Sequence, residues 1–173
     1  IINFKSENIN SDKFIKILNK LEDNIILFSG KCIVSEKVLN TNKNFIHIHS
    51  GFLPKIKGAD SLLWHIKKFN NFGVSMISLN KEIDGGKIYS RNELNMIEIF
   101  DNYLFSQSLL TKYRFFYCFV DPIVRSIHLI NNFKSLNDNI YIKSETSEQK
   151  DYFSFMENND LKIIFNKIFK MKN

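Results

Sequence analysis

Short apolar strand patterns alternate with helical patterns in the first half of the chain, and this alternation constrains the fold more than any other feature. The run at residues 25–28 is continuously apolar, which is typical of a strand buried on both faces. Such an alternation predicts an α/β layer fold with a largely parallel sheet. Helices are predicted over residues 13–21, 34–39 and 60–69, and strands over residues 25–28, 44–49, 74–79 and from residue 87 onward.

The second half of the chain lacks this alternation and is predicted to be mainly helical. Residues 96–132 are rich in apolar and aromatic side chains and are interrupted by Pro122, so we expect two helices there. Residues 135–150 are polar and typical of a loop. A last helix is predicted over residues 161–171, where apolar residues recur at helical spacing. The predicted domains are an α/β domain at residues 1–93 and a helical C-terminal extension at residues 94–173 that packs on it.

The composition is that of a folded protein. Of the 173 residues, 44% are hydrophobic and 14% aromatic, which is enough apolar material for a core. No stretch of 18 uninterrupted apolar residues occurs, so a membrane span is not expected. The formal charge of +6 favours an anionic ligand but is too mild an excess to predict nucleic-acid binding. Two cysteines are too few for a disulfide scaffold, which indicates the reducing cytoplasm.

All six glycines lie between residues 30 and 86, so the special backbone is concentrated in one stretch. This stretch contains the densest group of chemically useful side chains, from His47 to Gly58. In a strand, His47 and His49 point to the same face and stand at its carboxyl end, which is the edge where open α/β sheets bind ligands. Asp84 follows the next long strand and could face His49 if the two strands are neighbours.

These residues alone leave several interpretations open. Two histidines on one strand face are often buried polar groups that bond to backbone. The His-x-His pair could also join Asp84 in a zinc site, and Asp84-Gly85-Gly86 could be a plain turn. Lys55 and Lys57, taken alone, are typical of a solvated loop.

The glycine-rich stretch resembles the folate-dependent formyltransferases. That family carries a strand reading Asn-x-His, then Leu-Pro and Lys/Arg-Gly, and further along the chain Gly-Val followed by Asp-x-Gly. Here His-Ile-His-Ser-Gly-Phe-Leu-Pro-Lys-Ile-Lys-Gly at residues 47–58 matches the first motif, and residues 73–74 with 84–86 match the second. The resemblance is strongest over residues 45–89. Asp-Tyr-Phe-Ser-Phe at residues 151–155 resembles a weak signature of formyltransferases found with polysaccharide genes.

The resemblance implies a Rossmann-like formyltransferase fold and a catalytic Asn, His and Asp, with 10-formyltetrahydrofolate as the formyl donor and no metal. His49 takes the place of the family's His and Asp84 that of its Asp, whereas His47 stands where the family has Asn. Choosing His47 as the catalytic histidine would spoil the spacing to Pro54. We therefore expect His47 to be a second, altered hydrogen-bond donor to the oxyanion, and expect His47→Asn to preserve or raise activity.

Binding residues on both sides of these three side chains are also implied by the resemblance. Folate is expected to contact the loop after Gly30 and a second loop after the third strand. The folate-binding residues are then Cys32, Ile33, Val34, Asn80, Lys81, Glu82 and Ile83. The expected substrate-binding residues are Ser50, Gly51, Lys55 and Lys57, the two lysines being suited to phosphate or to the glutamate tail of folate.

The function implied is formyl transfer to the amine of a small acceptor, a nucleotide-linked amino sugar for surface polysaccharide synthesis. The tail reads as helical rather than as the β-barrel that methionyl-tRNA formyltransferases carry, which disfavours tRNA. The alternatives are methionyl-tRNA formyltransferase-like activity, formyl-folate hydrolysis, and a truncated, catalytically impaired folate-binding domain. The family's amino-terminal strand–helix–strand unit is expected to be missing, and a second copy of the chain could cover the sheet edge left exposed, as a homodimer.

Overall fold

The computed structural model describes residues 8–30, 32–138, 140–142 and 151–172. The helices in this part of the chain are α1 (Asp12–Leu18), α2 (Glu36–Leu39), α3 (Ser61–Phe69), α4 (Asn102–Ser106), α5 (Leu109–Phe115), α6 (Asp121–Asn137) and α7 (Asn158–Ile168). The strands are β1 (Ile25–Leu27), β2 (Asn44–His49), β3 (Ile56–Gly58), β4 (Asn71–Ser78), β5 (Ile88–Asn95), β6 (Ile99–Phe100), β7 (Asp151–Phe153) and β8 (Phe169–Lys170). A π-helical turn at Phe116–Val120 joins α5 to α6.

The main sheet has four strands in the order β1-β2-β4-β5. The α/β fold class is confirmed, but the described sheet is mixed rather than largely parallel. β1 runs parallel to β2, whereas β4 runs antiparallel to both β2 and β5. The direction of β4 follows from α3, which ends at Asn70 in a left-handed conformation (φ +56°) that turns the chain directly into β4. The chain leaves the sheet at the carboxyl end of β2 and re-enters it at the same end. β4 must therefore run in the opposite direction to β2.

β1 is a strand as predicted, but it is not buried on both faces. Within the described residues β1 pairs with β2 only, and Leu27 is 52% exposed. Its apolar run identifies the strand, but burial of both faces also needs a layer of neighbours on each side.

The largest core cluster joins both halves of the chain. Leu62 and Ile66 of α3 and Val74 of β4 pack with Phe116 of the π-helical turn and Phe165 of α7. A second cluster places α6 against the sheet through Leu136, which packs with strand residues of β2, β4 and β5. Residues on both sides of the predicted boundary at residue 93 therefore share one core, which fixes α5 and α6 beside the end of β2.

The loop after β1 is held by α1 and by the polar segment before it. Ser11 caps α1, because its hydroxyl accepts a hydrogen bond from the Phe14 N–H. Asn10 pins the loop, because its side chain donates to the Ile33 carbonyl at 2.9 Å and accepts from the Ser35 N–H at 2.7 Å.

Several predicted boundaries in the second half differ from those observed. Residues 96–132 contain α4, α5, the π-helical turn and most of α6, and Pro122 lies in the first turn of α6, where a missing N–H is tolerated. α6 runs into the segment predicted as a loop, of which residues 143–150 lie outside the described residues. α7 ends at Ile168 because Phe169 is extended and pairs with β6. None of the described helices combines the length and apolar character that crossing a membrane requires.

Candidate active site

His49 and Asp84, which the sequence predicts to be partners, meet at the carboxyl end of β2. His49 Nδ1 lies 3.4 Å from Asp84 Oδ1, and the two side chains are only 6% and 12% exposed. His49 Nε2 lies 2.9 Å from the carbonyl oxygen of Ile56. A carbonyl oxygen only accepts hydrogen bonds, so Nε2 carries a proton. Nδ1 faces the Asp84 carboxylate, which would balance the charge of the ring if this nitrogen also took up a proton.

Asp84 reaches His49 through a loop that folds back towards the sheet. His49 lies opposite Ser75 in the antiparallel register, and β4 runs on to Ser78, away from the His49 end of β2. The following loop must therefore double back to bring Asp84 to His49. Gly86 makes this return tight, because a Cβ at this position would overlap the Ser78 carbonyl. Asp84 itself adopts a left-handed conformation (φ +51°), which aspartate tolerates better than most residues.

The turn from β2 into β3 holds both members of the couple through its backbone. The Gly58 N–H donates to Asp84 Oδ2 at 2.9 Å, while the Ile56 carbonyl accepts from His49. Gly58 has a φ of +94°, and a Cβ there would overlap the carbonyl of Phe153 in the paired strand β7. One short backbone segment thus positions the imidazole and the carboxylate.

Ser75 and Arg91 tie this turn to the sheet. The Ser75 hydroxyl donates to the Gly51 carbonyl at 2.7 Å and accepts from the Leu53 N–H at 2.9 Å. Arg91 Nη1 donates to the Leu53 carbonyl at 2.7 Å. Gly51 leaves no room for a side chain, because a Cβ there would lie 2.8 Å from His49 Nε2.

His47 lies on the same strand face as His49, as the alternation of β2 predicts. Its Nδ1 is 3.0 Å from the carbonyl oxygen of Phe28. Burial lowers the pKa of His47 from its ordinary value of 6.5, and the nearby positive charges of His49 and Arg125 act in the same direction. The Phe28 carbonyl and the Asp84 carboxylate oppose this lowering without cancelling it.

A cleft of about 750 Å³ opens beside these three side chains, within the usual size of a small-molecule site. His47, His49 and Asp84 line it, together with every residue predicted to bind folate. Ile33 and Ile83, which are 76% and 52% exposed, supply apolar surface to the lining. The cleft therefore offers apolar surface on which the face of a flat ring can pack.

The remaining lining comes largely from the C-terminal half of the chain and was not predicted. α5, the π-helical turn and α6 contribute Tyr113, Tyr117, Cys118, Asp121 and Arg125, and the segment around β7 contributes Tyr152 and Phe155. The sequence does hold a signal for four of these residues. Positions 113, 117, 121 and 125 place hydroxyl or charged groups four residues apart, within a stretch whose many aromatic residues suggest packing alone.

Asp60 links this lining to α3. Its carboxylate accepts from the Tyr113 hydroxyl at 2.7 Å and from the Met156 N–H at 2.8 Å. Burial, helped by the hydrogen bond to Asp60, raises the pKa of Tyr113 above its ordinary value of 10. Burial likewise raises the pKa of Tyr117. Both phenols therefore stay protonated at any physiological pH, and the single hydroxyl hydrogen of Tyr113 is donated to Asp60.

The four residues predicted to bind the substrate are not among those that line the cleft. Ser50 donates its hydroxyl to Asp121, whose carboxylate also contacts Arg125 Nη2 at 2.8 Å. Gly51 is buried against His49. The Lys55 ammonium lies 5.2 Å from the ring centre of Phe52, and half-buried Lys57 is paired with β7. The predicted contacts of Lys55 and Lys57 with phosphate stay predictions.

No described group of three or more His, Cys, Asp or Glu side chains is arranged to hold a metal ion. Both ring nitrogens of His49 already face the Ile56 carbonyl and Asp84, so neither is free for a ligand bond without rearrangement. The zinc interpretation therefore gains no support from the arrangement of these side chains.

Comparison with curated proteins gives relatives over about half of the chain. The chain is 35% identical over 98 residues to the bifunctional polymyxin resistance protein ArnA of Wigglesworthia glossinidia brevipalpis, across 55% of this chain and 15% of that protein. It is 38% identical over 92 residues to methionyl-tRNA formyltransferase of Buchnera aphidicola subsp. Acyrthosiphon pisum, across 49% of this chain and 28% of that protein. The chain thus spans less than a third of the length of these relatives. No protein-family model matches it.

Solved structures share the fold over most of the described chain. A sugar N-formyltransferase from Shewanella superposes with a TM-score of 0.58 at 21% identity, covering 84% of this chain and 54% of that one. PseJ from Anoxybacillus kamchatkensis, solved with tetrahydrofolate and a UDP-linked formamido sugar, gives 0.54 at 19% identity, covering 86% and 70%. Methionyl-tRNA formyltransferase from Clostridium thermocellum gives 0.53 at 15% identity, covering 88% and 59%. The resemblance to formyltransferases is therefore confirmed, and the fold is theirs.

Proposed function

Since the chain shares motifs and fold with the formyltransferases, we propose that it transfers a formyl group from 10-formyltetrahydrofolate to the amine of a small acceptor. The observation that carries the proposal is the contact of His49 Nδ1 with Asp84 Oδ1 at 3.4 Å, beside a cleft lined by every residue expected to bind folate. In this reaction the amine nitrogen bonds to the formyl carbon, the bond from that carbon to N10 of the folate breaks, and the proton lost by the amine ends on N10.

His49 supplies positive charge where negative charge develops on the formyl oxygen. A preorganised donor at such a position typically contributes about 3–4 kcal/mol. In the free protein the N–H at His49 Nε2 bonds to the Ile56 carbonyl. A formyl oxygen that approaches Nε2 shares this hydrogen with the Ile56 carbonyl. Asp84 holds the ring through Nδ1 and balances its charge, and the low exposure of both groups limits screening by water.

The folate is bound between the loop after β1 and the loop after β4. Ile33 and Ile83 provide apolar contact with the pterin ring, while backbone groups of the two loops provide its polar contacts. Asn80 acts by shaping its loop, because its side chain donates to the Gly85 carbonyl at 3.1 Å and accepts from the Glu82 N–H at 2.9 Å.

The acceptor enters the cleft along α5 and α6. Two phenols that stay protonated, Tyr113 and Tyr117, and two buried carboxylates, Asp60 and Asp121, line this region. Such groups suit a hydroxyl-rich amine, and the fold is shared with sugar N-formyltransferases, so we propose a nucleotide-linked amino sugar as the acceptor. Methionyl-tRNA is the second candidate, favoured by the curated relative with that activity.

The test measures formyl transfer from 10-formyltetrahydrofolate to a panel of nucleotide-linked amino sugars and to methionyl-tRNA. We expect His49→Gln and Asp84→Asn to lower kcat at least about 100-fold, as loss of one such interaction does. Calorimetry with 5-formyltetrahydrofolate should give folate affinities within a factor of about two of the wild type. Asp160→Asn is the matched control, because it breaks only the ion pair of Asp160 with Lys67 on the surface of α7.

Each outcome of this test has a distinct meaning. Near-normal turnover in both variants would refute the assignment of the couple. Folate binding without transfer to any amine would identify an impaired binding domain, and formate release without an acceptor would identify a hydrolase.

We place the reaction in the cytoplasm, a reducing compartment in which Cys32 and Cys118, both exposed and unpaired, remain thiols. A homodimer stays a prediction, which light scattering during size-exclusion chromatography tests.

A further inference from the structure

The ring of His47 is held in one orientation by a backbone carbonyl. Its Nδ1 lies 3.0 Å from the Phe28 oxygen, which can only accept, so Nδ1 carries a proton. In a neutral imidazole the other nitrogen, Nε2, then has a free lone pair. Within the described part of the chain no residue bonds to His47 Nε2, and the ring lines the cleft.

The surroundings keep His47 neutral at pH 7. Burial is the largest influence and lowers its pKa below 6.5. His49 on the same strand and Arg125 on α6 add positive charge, which also disfavours a second proton. The Asp84 carboxylate raises the pKa of His47, but this carboxylate is already in contact with His49. His47 therefore offers a hydrogen-bond acceptor to the cleft, whereas the sequence predicts a donor at this position.

We propose that His47 is a catalytic base, whose Nε2 takes the proton that the acceptor amine loses as its nitrogen bonds to the formyl carbon. This inference rests on the proposed formyl transfer. The protons balance, because the amine gives one up and N10 takes one when its bond to the formyl carbon breaks. The proton on N10 comes from His47 or from the imidazolium of His49, and no further reactant is needed.

The two histidines therefore have different roles in the proposed reaction. His49, held between a carbonyl and a carboxylate, keeps positive charge for the formyl oxygen. His47, held by a carbonyl on one nitrogen only, takes up the proton. Since β2 places both rings on one face, the donor and the acceptor of protons stand side by side at the cleft.

The test compares His47→Asn and His47→Gln with the wild type, in the pH dependence of kcat from pH 5 to 9. We expect the wild-type kcat to fall on the acid side, where His47 is protonated. Both variants should lose this acid limb and about 100-fold or more in kcat, the usual contribution of a general base, with little change in the KM for folate. His128→Gln is the control, because His128 is buried against Ser90 and does not line the cleft.

Nitrogen-15 NMR of the histidine rings gives a readout that does not need turnover. We expect His47 at pH 7 to carry its proton on Nδ1 and none on Nε2; a proton on Nε2 would overturn the inference. A transferring wild type with an unimpaired His47→Asn variant would also overturn it and would favour the donor role. Absence of transfer by the wild type would instead overturn the proposed function, and this inference with it.

Discussion

Replacing Ser75 with alanine removes both hydrogen bonds through which this side chain holds the turn after His49. The hydroxyl donates to the Gly51 carbonyl and accepts from the Leu53 N–H, and Ser75 is completely buried. Alanine would leave a buried C=O and a buried N–H without these partners. Each unsatisfied group costs about 1–3 kcal/mol, so we expect the free energy of unfolding to fall by about 2–6 kcal/mol. Domains of this size have about 5–15 kcal/mol in total.

The assay is urea unfolding at pH 7, followed by the fluorescence of Trp64, the single tryptophan. If the slope with urea is unchanged, the shift in midpoint gives the loss of stability directly. Ser90→Ala is the matched control, because Ser90 is also buried on the sheet, but within the described residues its hydroxyl makes one side-chain hydrogen bond, to His128 Nε2. We expect this control to lose about 1 kcal/mol.

The same substitution should lower turnover, because the turn it loosens holds His49 through the Ile56 carbonyl. A loss of stability within about 0.5 kcal/mol of zero, which is ordinary for a surface change, would refute this reasoning. So would an effect of Ser75→Ala no larger than that of Ser90→Ala, since the second hydrogen bond would then contribute nothing.

Three further outcomes are expected. Gly58→Ala should lose about 2–4 kcal/mol of stability in urea, because alanine is strained at positive φ and would overlap the facing carbonyl, and kcat should fall as Asp84 shifts. Stability should decline above about pH 10, where unfolding lets tyrosines ionise, and urea midpoints at pH 9 and 11 should show a shallower decline for Tyr113→Phe. Between pH 7 and 5 stability should fall, because burial lowers the pKa of His65 and His128 and unfolding takes up protons; midpoints for His128→Gln should fall less.

The sequence predicts the part of the site that is specified locally. β2 has the predicted limits, and the loops that follow β1 and β4 line the cleft as expected. Glycines mark this backbone because side chains at Gly51, Gly58 and Gly86 would collide with neighbouring atoms. The contact of His49 with Asp84 was predicted from neighbouring strands, although the loop after β4 has to double back to make it.

Features that depend on distant partners could not be read from the sequence. The direction of β4 depends on where α3 returns the chain to the sheet, and periodicity says nothing about that position. Tyr113 faces the cleft because its hydroxyl bonds to Asp60, 53 residues earlier in the chain. The role of His47 depends on which ring nitrogen meets the Phe28 carbonyl, and only the packing of β1 beside β2 decides that.

The π-helical turn determines which way the helical residues on the C-terminal wall of the cleft face. These residues are Tyr113, Tyr117, Asp121 and Arg125. In a regular α-helix, Tyr113 and Arg125 would be rotated from one another by about 120°. The wider turn at Phe116–Val120 takes back much of that rotation, so that Tyr117 and Asp121 line the same cleft as the other two. Closing this turn into regular α-helix of the same length would restore the rotation of about 120° and move Arg125 out of alignment with Tyr113, although no side chain of the wall would have changed.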